Sequence, residues 1–197
     1  MPRVSTAHKL QRRNEILDAA RACFSRAGFQ GATIKEIIAE VGLSAGAVYS
    51  YFKNKRELVL AIAERRHEDE RLALFVDDAD PVETLKEISR RFLNSYLEIS
   101  AIEKRRISLM TWSEALLDED IFASVKEGVD APRRALEALI ARGQAGRVLR
   151  ADIETSALAC AMVAMLQGLV LQKLWNPDID AAALRRTCDM MIEGLRP

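Results

Sequence analysis

Between residues 33 and 58 the chain reads TIKEIIAEVGLSAGAVYSYFKNKREL, and this stretch concentrates its chemically able side chains. The spacing predicts two short helices joined by a tight turn, with a further helix starting just after. Hydroxyls, phenols and ammonium groups fall where a DNA backbone and a major groove could meet them. That chemistry is hydrogen bonding and charge neutralisation rather than bond making. Catalytic sets are missing elsewhere. His8 and His67 lie outside any apolar cleft pattern, with His67 read as an exposed helical residue. No HExxH or phosphate-cradling Gly-rich loop occurs, and the G-x-S-x-G spacing of GLSAG at 42–46 lies in the turn between two short helices, so the chain reads as a non-enzyme without a cofactor. Cys23, Cys160 and Cys188 are far apart and odd in number, with no zinc spacing. They are expected to be buried free thiols in a reducing compartment. The carboxylates of Asp77-Asp78-Ala79-Asp80-Pro81 could hold a metal or form a solvated link that caps the next helix. The second reading is preferred, and no metal site is assigned.

The elements that position these groups are helical throughout, because apolar residues recur at three and four and alternating patterns are absent. Ile16, Ala20, Cys23, Phe24 and Ala27 mark one face of a first helix, which Gly28 can stop. Thr33 with Glu36 makes a capping box for the second helix. Ile34, Ile37, Ile38 and Val41 form its buried stripe, and Gly42 suits the turn. Ser44 can cap a third helix over 45–51, with Val48 and Phe52 facing the core and Tyr49 and Tyr51 elsewhere. Asn54 with Glu57 starts a fourth helix reaching about residue 75. Further helices are expected at 82–101, 103–117, 119–143, 154–175 and 181–195. Pro132 should kink the third of these, or restart it with Asp130 as cap. A helix-turn-helix fits this spacing, although any small helical protein can contain such a hairpin.

Charge separates the chain into two parts. Residues 1–66 hold twelve Lys and Arg against six Asp and Glu, whereas residues 67–197 hold 17 against 23. The formal net charge of zero therefore conceals a basic first third on an acidic remainder, which suggests a polyanion contact near the N-terminus. Arg3, His8, Lys9, Arg12 and Arg13 read either as a solvated tail or as a basic arm tracking a minor groove. The N-terminus lacks the apolar core of a signal peptide. The longest apolar run, 157–171, contains Gln167 and is shorter than a membrane span. A soluble cytoplasmic protein without membrane contact is expected.

The segment GLSAGAVYSYFKNKREL has a Gly-apolar-Ser turn, then a small residue before an apolar-Tyr pair. An aromatic-Phe pair, a Lys and a following Leu complete it. With Thr33, Ile37, Gly28 and Phe29, it resembles the recognition-helix signature of the tetracycline-repressor (TetR) family over residues 12–62. GQAGRVLRADIE and LQGLVLQKLWNPD, within 143–180, bear a fainter likeness to one subgroup's C-terminal domain. The resemblance implies an all-α fold with an N-terminal three-helix helix-turn-helix head and a C-terminal body of five or six helices. Residues 1–54 would form the DNA-binding head, and 55–197 the effector-binding and dimerisation body. The partners implied are palindromic double-stranded operator DNA, a second copy of the chain, and a small, largely apolar effector that releases the DNA.

Matched position by position, the resemblance puts Thr33 and Ile34 against phosphate and Lys35 near a base edge. It presents Ser44, Ala45, Gly46 and Ala47 to the major groove. Tyr49 and Lys55 meet phosphate, and Tyr51 meets phosphate or a base. The reading helix nonetheless lacks the Arg, Asn or Gln that usually read bases. Base preference is therefore expected to rest on Lys35, Ser44, Tyr51, methyl contacts from Ala45 or Ala47, and DNA shape.

In the body, 154–175 is apolar nearly all round. Ala157, Ala161, Ala164, Gly168 and Trp175 fall on one line, with Ala159, Met162, Leu166 and Val170 broadly opposite. The small-residue line is read as a dimer seam, with the reverse packing left open. Leu136 and Leu139 in the 119–143 helix are its expected partners. Phe92, Tyr96, Trp112, Met162, Met165 and Gln167 are candidates for a ligand pocket, although for any one of them ordinary core packing is the preferred reading. Two functions remain: a ligand-responsive repressor, and a helical dimeric regulator or scaffold acting through a protein partner or without an effector. The basic head favours the first.

Overall fold

The computed structural model describes the backbone of residues 6–73, 80–98 and 101–197, and the side chains of these residues apart from 66–73. Arg3, the His67 side chain and Asp77 to Ala79 thus lie outside the described residues. Nine α-helices and no strand occur among the described residues. They are α1 (Thr6–Gly31), α2 (Ile34–Val41), α3 (Ala45–Tyr49), α4 (Lys55–Ala73), α5 (Pro81–Leu97), α6 (Ile102–Ala115), α7 (Glu119–Ala145), α8 (Thr155–Trp175) and α9 (Ala181–Glu193). Carboxylates start the later helices. Asp80 accepts the Val82 N–H at 2.8 Å ahead of Pro81, Glu154 accepts that of Ala157 at 2.6 Å, and Asp180 accepts that of Ala182 at 2.8 Å. Of the Asp77–Pro81 carboxylates, the one described is thus a cap, and it also meets Arg196 at 2.7 Å. Pro132 sits inside an unbroken α7, so the expected restart does not occur. Asp130 is instead paired with Lys126, and with Arg133 at 3.0 Å.

The chain divides into two compact units. The first runs to Arg65 and takes in Arg106–Val125; the second comprises Arg66–Arg105 and Lys126–Pro197. In the first unit Ile16, Leu17, Phe24, Phe29, Ile37, Val48 and Phe52 share a core with Leu58, Val59 and Ile62 of α4. Ile107, Ala115 and Ile121 from α6 and α7 complete it. The expected boundary at 54/55 falls just ahead of these α4 side chains. Each buried apolar side chain of α4 contributes about 1.5–3 kcal/mol. A head cut at residue 54 would lose three of them, a large part of a small domain's roughly 5–15 kcal/mol.

The second unit has two apolar clusters. Val82, Leu85 and Ile88 of α5 meet Leu136, Leu139 and Ile140 of α7, Ala159 and Met162 of α8, and Ile192 of α9. Leu93 and Leu97 meet Leu166 and Cys188. Leu136 and Leu139, expected to partner a dimer seam, are 2% and 5% exposed and pack inside their own subunit. On α8 the broad face Ala159, Met162, Leu166 and Val170 is buried, while Ala157, Ala161, Ala164 and Trp175 are exposed and Gly168 is half-buried. With 21 residues, α8 is long and apolar enough to cross a membrane, contrary to the shorter run read from sequence. Cys160 lies on its outer face and is exposed, which corrects the expectation of three buried thiols. Cys23 and Cys188 are buried, and burial pushes both thiols up from their ordinary pKa.

Candidate nucleic-acid interface

Local hydrogen bonds fix the hairpin of α2 and α3. Thr33 Oγ1 accepts the Glu36 N–H at 3.2 Å, and Glu36 Oε2 accepts the Thr33 N–H at 2.7 Å. These Thr33 donors hold the Glu36 carboxyl below the ordinary carboxylate range. The box leaves the N–H groups of Ile34 and Lys35 as the open donors of the first turn. Gly42 ends α2 at φ 69, where its N–H donates to Ile38 O at 3.2 Å. A left-handed residue there costs any side chain about 1–2 kcal/mol. Ser44 Oγ accepts the Ala47 N–H at 3.2 Å, opening α3, and Ser50 Oγ donates to Ala47 O at 2.7 Å. Ile37, Val48 and Phe52 anchor the hairpin in the core of the first unit.

The anchoring presents the expected reading residues outward. Thr33, Lys35, Ser44, Ala45, Gly46 and Tyr49 are exposed, while Ile34 and Ala47 are half-buried. A methyl group added at Gly46 would meet nothing within 4 Å. Tyr51 departs from this pattern, since it is half-buried and packs on the head core. Lys55 has a role inside the chain: its ammonium donates to Gln30 O at 3.3 Å and Ala32 O at 3.2 Å, capping the end of α1. The expected arm is also reinterpreted. His8, Lys9, Arg12 and Arg13 belong to α1. Arg12 pairs with Glu15 at 2.7 Å, and the Arg13 guanidinium lies 5.4 Å over the Phe52 ring.

Sequence reasoning missed the clamp on Arg56. Its guanidinium binds both oxygens of Asp118, one at 2.9 Å, and also Asp120, tying the start of α4 to that of α7. A contact 62 residues apart in sequence leaves no local signal. Arg26 is paired with Glu40 at 2.6 Å and Arg65 with Asp18 at 2.9 Å. The head's positive excess is thus carried outward mainly by lysines such as Lys9, Lys35 and Lys53, all exposed.

The pocket candidates fall in different places. Phe92 and Tyr96 stack on α5 with centroids 4.8 Å apart, and Met165 packs with Phe92 against the Leu93–Leu166 cluster. Met162 belongs to the other cluster of that unit, and Gln167 is half-buried on α8. Trp112 belongs to the first unit, on α6, and is half-buried there. Three features escaped the sequence reading: Arg105 of α6, buried against the carbonyls that end α5, and the exposed Met190 and Met191 of α9.

Comparisons with known proteins agree with this geometry. Residues 16–62 match the family described as "Bacterial regulatory proteins, tetR family". Residues 81–197, more than half of the chain, match "BetI-type transcriptional repressor, C-terminal". The HTH-type transcriptional repressor AcnR of Corynebacterium diphtheriae is 29% identical over 204 residues, covering 100% of this chain and 97% of AcnR. The HTH-type transcriptional repressor Rv1474c of Mycobacterium tuberculosis is 41% identical over 73 residues, covering 37% of this chain and 38% of that protein. A transcriptional regulator from Pseudomonas aeruginosa PAO1 shares the fold with a TM-score of 0.79 and 24% identity, over 98% of this chain and 94% of that one. Another from Saccharomonospora viridis, solved in complex with choline, gives 0.79 and 24%, over 93% and 96%. The chain is thus an all-helical DNA-binding transcriptional regulator rather than an enzyme, and it belongs to the TetR family of bacterial regulatory proteins, with a BetI-type C-terminal region.

Proposed function

We propose that the protein is a cytoplasmic repressor that binds a palindromic operator as a homodimer and releases it when a small molecule enters the body. The observation that carries this reading is the doubly capped hairpin Thr33–Gly42–Ser44, which leaves a bare, outward face at Ser44, Ala45 and Gly46. The open N–H groups of Ile34 and Lys35, at a positive helix end, suit a phosphate. Tyr49 adds an exposed phenol and Lys35 an exposed ammonium beside them. Lys55 retains one of three N–H donors for a phosphate, while Tyr51 keeps only an edge available. The outward Ala157–Ala161–Ala164–Gly168–Trp175 line supports a seam between two copies, because small side chains let a second backbone approach closely. Choline in the Saccharomonospora viridis relative supports a small-molecule site in the body. Occupancy would favour a head spacing that no longer fits half-sites about 34–36 Å apart.

Fluorescence anisotropy with DNA from upstream of the protein's own gene tests the reading. Binding should saturate at an even number of subunits per site, and log affinity should fall linearly with log salt. Equal affinity for a scrambled duplex at every salt concentration would refute it.

A further inference from the structure

We propose that the corner between α6 and α7 is a docking surface for a second copy of this chain, and that it receives the basic start of that copy's α1. Leu116 and Leu117 are 81% and 82% exposed there, and Phe122 at the start of α7 is 51% exposed. Apolar side chains gathered in water in this way mark interaction sites. Local hydrogen bonds hold the corner in place. The Leu116 N–H donates to Ser113 O at 3.2 Å and the Leu117 N–H to Glu114 O at 2.9 Å. Asp118 then caps α7 through the Ile121 N–H at 3.1 Å and holds Arg56 at 2.9 Å. This surface is separate from the Ala157–Trp175 line proposed as the seam of the homodimer. The corner belongs to the first unit and the line to the second.

Charge selects the occupant. Residues 107–125 contain Glu114, Asp118, Glu119 and Asp120 and no Lys or Arg. Arg56 holds Asp118 and Asp120, whereas the carboxylates of Glu114 and Glu119 enter no hydrogen bond or ion pair among the described residues. Such a rim repels nucleic acid and anionic lipid, and it repels a second corner of the same kind. Its complement is an apolar side chain among cations, and the start of α1 supplies one. Residues 1–13 contain Arg3, Lys9, Arg12 and Arg13 and no acid. Leu10 is 57% exposed on α1, next to Lys9 and one turn before Arg13. Glu15 neutralises Arg12, which leaves Lys9 and Arg13 to face Glu114 and Glu119. Both surfaces belong to the first unit, yet their leucines remain in water, so one copy does not cover its own corner. A contact between unlike surfaces need not close on itself, so it can join regulators side by side in an open row.

Sedimentation velocity on the full chain without DNA, from micromolar to millimolar subunit concentration, tests the assignment. Species larger than the dimer should grow in with concentration and recede as salt is raised. Leu116→Ser combined with Leu117→Ser should lower that association by roughly tenfold or more and leave the dimer intact. Lys9→Glu should lower it as well, and adding Glu119→Lys to the same chain should restore it. Ala164→Glu separates this contact from the homodimer reading, since subunits parted at the α8 seam should still associate through the corner. A wild-type chain that keeps one size across the range would overturn the assignment. So would a leucine variant that becomes a monomer, which would place the corner in the dimer seam. Association unchanged by Lys9→Glu, or lost and not restored by Glu119→Lys, would also overturn it.

Discussion

Lys35 and Lys55 carry the same charge, but their surroundings separate them. Lys35 is exposed on α2 and makes no hydrogen bond or ion pair among the described residues, whereas Lys55 closes the end of α1 through Gln30 O and Ala32 O. Lys35→Ala should therefore leave stability within about 0.5 kcal/mol of wild type. It should still change the consensus recovered in a binding-site selection, because an ammonium at that edge is one of the few groups able to read a base. Lys55→Ala should lower both stability, by about 1 kcal/mol, and affinity for all duplexes. Urea melts run beside anisotropy would separate the two effects. Gly46 gives a sharper probe of the reading face. Nothing lies within 4 Å of an added methyl group. Gly46→Ala should stabilise the head by about 0.5–1 kcal/mol through helix propensity. If α3 approaches DNA as closely as its bare surface suggests, the same variant should bind operator more weakly. A stabilised variant with unchanged affinity would show that the major groove lies elsewhere.

Helices in the head are joined by contacts between their ends, and the Arg56 clamp is one that depends on pH. Asp118 accepts the N–H groups of Asp120 and Ile121 at 3.0 and 3.1 Å as the cap of α7, and also holds Arg56. Arg56 first, and the Ile121 N–H second, keep its carboxyl below the ordinary value of 3.8. A carboxyl lowered in the folded state contributes stability that is complete above 3.8 and disappears as pH falls through the lower folded value. Asn retains capping ability but loses the charge. Asp118→Asn should therefore be less stable than wild type at pH 7, with the gap closing in urea melts taken towards pH 3. A gap that persists at low pH would assign the contact to packing instead. This clamp also marks how far sequence could be read. Thr33 with Glu36, Gly42, Ser44 and Asn54 were legible because a cap and its partner lie within four residues. Arg56 with Asp118, and Lys55 with Gln30, were not legible, since tertiary partners leave no periodic trace. At Pro132 the restart did not occur, for the related reason that packing around α7 overrides a local preference to break.

At the scale of the molecule, periodicity identified which faces are apolar but not which copy covers them. Leu136 and Leu139 show the ambiguity. Their stripe suits a partner subunit as well as α5 and α8, and the structure gives it to the latter. The Ala157–Trp175 line is the opposite case, an apolar stripe that its own subunit leaves open, with exposed Met190 and Met191 on α9. These two stripes predict different failures. Leu136→Ala empties part of a core and should cost about 2–5 kcal/mol, destabilising the body whether or not it is paired. Ala164→Glu places a charge on a surface already in water, so the single subunit should melt within about 0.5 kcal/mol of wild type. Between two copies the same carboxylate would be buried opposite its twin without a partner, which a close seam cannot accommodate. Ala164→Glu should therefore be a folded monomer in light scattering. Each head would then have to find its half-site alone. Without the effective concentration supplied by a joined neighbour, operator affinity should fall by about 10²–10⁴-fold. Non-specific binding per head should change little, because Lys35, Tyr49 and the open N–H groups of α2 are untouched. A variant that remained dimeric with full operator affinity would move the seam away from α8, leaving the outward methionines of α9 as the next surface to test.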